Sequence, residues 1–120
     1  MAGVVDNGVV PQEHAPENVM QDPLEIAHFH AVCSDFMREL LDALARFPDT
    51  PRAFPVIEDE MGWPRRRIAS VLGGVWRLRQ TVFAGRRPYR FLDDKVSASR
   101  RWELWVDADQ AAAIRDAQRD

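Results

Sequence analysis

A chain of 120 residues with 46% hydrophobic and 29% charged side chains has the make-up of one soluble globular domain. No apolar run approaches the roughly 18 residues needed to cross a bilayer, no secretory signal opens the chain, and the single cysteine, Cys33, excludes an internal disulfide and fits a reducing cytoplasm. The formal charge of −3 hides a division: residues 1–60 carry 3 basic and 12 acidic side chains, whereas residues 64–101 carry 11 basic ones against Asp93 and Asp94, an asymmetry that suits an anionic partner.

Residues 1–21 mix Gly, Pro, Asn, Gln and acids without apolar periodicity and read as a flexible acidic tail ahead of a domain over 22–120. The first start signal is Asp22-Pro23-Leu24-Glu25, with a capping side chain, a proline suited to the first helical position and a capping-box spacing. Phe29, Val32, Cys33, Phe36, Met37, Leu40, Leu41 and Leu44 then recur at three- and four-residue steps. They predict one continuous helix over 23–46, with a break near Ser34 after an extended stretch as the weaker alternative. An unbroken stripe of that length suggests either a homodimer formed through the helix or closure over the domain's own core.

Asp49-Thr50-Pro51 reads as a turn, and Phe54 to Met61 as a short helix with Ile57 and Met61 inward. Gly62 supplies the left-handed residue that ends it. A helix over 64–78 follows, with Ile68, Val71, Leu72, Val75 and Leu78 in one sector and Arg66, Ser70, Gly73 and Arg77 opposite. The period then changes to two: Thr81–Ala84, Tyr89–Leu92 and Arg101–Val106 are strand candidates, joined by loops at Gly85–Pro88 and Asp93–Arg100. Asp107 and Gln110 have the capping-box spacing for a last helix over 108–118. The fold class is thus mainly α with a small antiparallel β-hairpin or three-stranded sheet.

The stretch from Phe54 to Leu72, with Gly62, Trp63, Ile68 and Leu72 at the required spacings, resembles the winged helix-turn-helix family, including actinobacterial domains of this architecture. Glu58 departs from the pattern, which has a small residue four positions before the glycine, where the two motif helices touch. The resemblance implies a bacterial transcriptional regulator binding double-stranded DNA, its second motif helix in the major groove. Arg66 and Ser70 would reach base edges, flanked by Arg65 and Arg67. Gly73 would let the backbone approach, and Arg77 and Arg79 would meet phosphates. The loops offer two candidate wings, one with Arg86 and Arg87, the other with Lys95, Arg100 and Arg101. A winged-helix protein-interaction adaptor, or a non-specific nucleic-acid binder, is the alternative.

The aromatics Trp63, Trp76, Tyr89, Phe91, Trp102 and Trp105 are expected mainly in the core, because a fold this small needs large side chains to fill it. Trp102 and Trp105 would lie on opposite faces of one strand. His28 and His30 sit about 200° apart on a helix and cannot share a metal. No paired cysteines, phosphate loop or nucleophile motif appears, so neither an enzyme, a cofactor, a metal nor a small-molecule ligand is expected from motifs.

Overall fold

Five helices and three short strands follow one another through a computed structural model that describes residues 16–93 and 102–119. Helix α1 (Pro23–Val32) starts where Asp22 accepts a hydrogen bond from the Leu24 amide at 2.9 Å. It ends at Cys33, which is extended, and Ser34 caps a second helix, α2 (Asp35–Arg46), by accepting from the Met37 amide at 3.2 Å.

The single helix expected over 23–46 is therefore two helices. The alternative break at Ser34 had the right place, but helix rather than extended chain precedes it. A serine hydroxyl offers the backbone a partner that competes with helix continuation, and Arg38 fastens the corner by donating to the carbonyls of His30, Ala31 and Cys33 at 2.9, 3.3 and 3.1 Å. The apolar stripe is shared out accordingly, with Ile26 and Phe29 buried from α1 and Met37, Leu40, Leu41 and Leu44 from α2. A homodimer across one unbroken helix thus loses its continuous surface. Buried His30 faces Asp42 at 2.9 Å and ties the two helices together.

Strand β1 (Arg52–Ala53) leads directly into α3 (Phe54–Met61), Gly62 turns at φ 71°, and α4 (Arg65–Val82) runs 18 residues. Strands β2 (Arg90–Asp93) and β3 (Trp102–Trp105) complete an antiparallel sheet ordered β1-β3-β2, in which Leu104 faces Arg52 on one side and Phe91 on the other. The sheet is the expected size, but its third strand is not the expected one. Thr81 and Val82 form the last turn of α4, with the Thr81 hydroxyl donating to the Arg77 carbonyl at 3.0 Å. Phe83 is buried just past the helix, and Ala84 and Gly85 both turn through positive φ. The apolar period of α4 outlasts the β-branched pair, so burial of Phe83 decides the conformation over local strand preference.

Helix α5 (Ala108–Gln118) opens with the expected capping box: Asp107 and Gln110 each accept the other's backbone N–H at 2.8 Å. It packs on α1 and α2. The Gln110 side chain is fully buried because its Nε2 donates to the Met20 carbonyl at 3.1 Å.

That contact corrects the domain boundary. Residues 16–21, expected within a flexible tail, form a 3-10 turn (Pro16–Asn18) and a strap across the core. Met20 is wholly buried, its amide donates to the Arg87 carbonyl at 2.7 Å, and the Arg87 amide donates to the Asn18 carbonyl at 2.8 Å. Residues 1–15 lie outside the described residues.

Candidate nucleic-acid interface

Helix α4 is held from below. Ile68, Val71 and Val75 are buried, with Leu72 and Leu78 packed against the same core. Trp63, in the turn after Gly62, is also buried, its ring edge-on to Phe36 with centroids 5.5 Å apart. At 100° per residue this anchoring leaves Arg66, Ser70, Gly73 and Arg77 on the opposite side, and all are exposed. A Cβ added at Gly73 would meet nothing within 4 Å, so the helix backbone itself is open to approach there.

The arginines divide by what they touch. Arg66 and Arg77 make no ion pair with any other described residue. Arg67 is exposed but lies over the Phe36 ring at 4.8 Å from its centroid, a cation–π contact that draws it toward α2. Arg65 donates from Nε to Glu58 at 2.5 Å and also stands over the Phe54 ring.

Three arginines expected at the interface are turned inward or engaged elsewhere. Arg79 donates from Nη2 to the Gly85 carbonyl at 2.7 Å, holding the loop after α4 rather than projecting outward. Arg87 is 3% exposed and so cannot serve as a solvent-facing wing residue. Arg86 forks onto both carboxylate oxygens of Glu25 in α1, a pairing that holds the guanidinium proton more tightly than usual. These residues close the fold by joining its strap, its first helix and its hairpin. Arg90, absent from the expected set, is likewise structural, pairing with Asp107 at 3.0 Å. Lys95, Arg100 and Arg101 lie outside the described residues, in the segment that joins β2 to β3.

The aromatics also divide. Trp63 and Tyr89 are buried as expected, Phe91 and Trp105 are half-buried, but Trp76 is 58% and Trp102 40% exposed. Trp102 meets Phe54 and Phe91 edge-on at 5.6 and 5.8 Å between centroids, so it packs on the start of α3 and its own sheet. Trp76 lies one 100° step past Val75, off the apolar stripe; that angular position was the available sign that it would not enter the core. With Trp102 it flanks a cleft of about 460 Å³ between α4 and the sheet.

Among the described residues no three His, Cys, Asp or Glu side chains gather in a metal-binding group, and no helix is long and apolar enough to cross a membrane. No family model, curated protein or solved structure matches the chain.

Proposed function

We propose that the chain is a winged helix-turn-helix DNA-binding protein, a transcriptional regulator that enters the major groove with α4. One observation carries the reading: Arg66, Ser70, Gly73 and Arg77 make an open ridge on a helix anchored from its other side, while the cations around them are already engaged. At about 1.5 Å per residue the helix is long enough to lie along a groove. Its first two turns present Arg66 and Ser70, where a recognition helix meets base edges, and Arg77 stands two turns on, suited to a phosphate.

Two further features support the helix pair as a reading head. Gly62 in the left-handed region ends α3 and redirects the chain within a few residues, and β1 ties the start of α3 to the sheet. The segment 94–101, with Lys95, Arg100 and Arg101 in sequence, joins two sheet strands and is the wing in this reading. Arg86 and Arg87 are not.

The test is a selection of random duplexes on the purified chain, followed by binding of the enriched motif. A specific regulator enriches one motif, and Arg66→Ala removes the preference for it, because an arginine bidentate to guanine supplies about 1–3 kcal/mol of discrimination. Binding without enrichment, with a steep salt dependence, assigns the chain to the non-specific readers. Absence of duplex binding leaves the adaptor reading.

A further inference from the structure

The cleft between α4 and the sheet has two walls of different chemistry from its floor. Trp76 on the helix and Trp102 on β3 stand at its rim, with Phe91 beside Trp102 at 5.8 Å. Buried Arg87 and Tyr89 and half-buried Arg79 complete the lining. At about 460 Å³ it falls within the roughly 300–1,000 Å³ of small-molecule sites. Gly73 borders it, and the missing side chain there leaves room.

The cation that matters in this lining is Arg79. No carboxylate is found among the described residues lining the cleft. Arg79 donates to the Gly85 carbonyl and hydrogen-bonds the Tyr89 phenol, but its buried Nε finds no acceptor and it makes no ion pair with a described residue. Arg79 is half-buried, and a guanidinium partly withdrawn from water favours an anionic partner. Burial pushes the Tyr89 phenol above its ordinary value, with Arg79 and Arg87 pulling the other way, so Tyr89 stays protonated and supplies no compensating charge. Trp76, 58% exposed, and the part of Trp102 left open by its contacts with Phe54 and Phe91 line the same space, apolar surface of the kind that ligands cover.

We propose that this cleft binds a planar aromatic carboxylate, its ring held between Trp76 and Trp102 and its carboxylate directed to Arg79. Flat rings suit indole and phenyl walls. A carboxylate matches the guanidinium fork and supplies the missing charge. The cleft shares Gly73 with the ridge assigned to DNA, but its probes are small aromatic molecules, so its test is separate from that of the DNA reading.

The test is calorimetric titration of the full chain with 2-naphthoate and, in parallel, with its neutral isostere 2-naphthamide. The carboxylate binds with one site per chain, and the amide binds about tenfold or more weakly, the loss of one charge-assisted hydrogen bond. Gly73→Leu fills the cleft and abolishes binding of both. That substitution meets no neighbour at its Cβ and replaces glycine with a better helix former, so the variant folds. Arg79→Gln erases the difference between acid and amide. No binding of either probe, equal affinity for the two, or undiminished binding by Gly73→Leu would each overturn the assignment.

Discussion

Glu58 accepts a hydrogen bond from Arg65 Nε at 2.5 Å across the Gly62 turn, joining the second turn of α3 to the first residue of α4. The carboxylate that breaks the winged helix-turn-helix pattern thus clamps the two helices while neutralising a cation beside the exposed ridge. Because Arg65 is 59% exposed, water screens the pair, and Glu58→Ala should lower stability in urea by no more than about 1 kcal/mol. The same substitution frees Arg65, so duplex affinity should rise and its logarithm fall more steeply with log salt, by about 0.9 in slope. Fluorescence anisotropy across a salt series measures this. An unchanged slope means that Arg65 is too far from the phosphates to matter.

Gly62 is a cleaner probe of the turn. Its φ of 71° is left-handed, yet a Cβ there would touch nothing within 4 Å, so substitution costs backbone strain alone. Gly62→Ala should reduce unfolding free energy by about 1–2 kcal/mol, seen as a lower urea midpoint at constant slope. An unshifted midpoint would mean that the turn relaxes to another geometry.

Cys33 sits 7% exposed at the corner between α1 and α2, and burial pushes its thiol from 9.0 up to about 11, against a smaller opposing pull from Arg38. At pH 8 the thiolate fraction is then on the order of one in a thousand, and alkylation by iodoacetamide should be slow until urea opens the fold. The linkage has a definite sign. The folded thiol keeps a proton that the unfolded one loses, so this contribution is fully present below pH 9.0 and is lost as pH rises toward about 11. Rapid labelling of the native protein at pH 8 would contradict the burial.

Much of the fold was legible because it is encoded locally. Asp22, Gly62 and the Asp107–Gln110 box each act within four residues of their own position, and the wheel of α4 gave its buried and open sides correctly. The errors arose where contacts that leave no trace in the apolar period decide. Ser34 breaks a helical stripe because Arg38 can tie off the corner. Strand β1, two residues long, is too short to show alternation, and the Val19-Met20 strap has no period at all.

Arginine roles were the least legible. Nothing near Arg86 in sequence reveals that Glu25, 61 positions away, will take it, nor that Arg87 will be enclosed beneath the strap. A segment net charge therefore overstated the interface. The cleft went unseen for a related reason, since it needs Trp76 and Trp102 brought together from a helix and a strand.

The most direct measurement compares Arg66→Ala and Arg77→Ala on the selected duplex and on a scrambled one, by anisotropy over a salt series. Arg66→Ala should bring the two duplexes to nearly equal affinity, a loss of about 1–3 kcal/mol on the selected sequence alone. Arg77→Ala should weaken both alike and reduce the salt slope by about 0.9. If neither variant changes affinity, discrimination or slope, α4 does not carry a DNA contact.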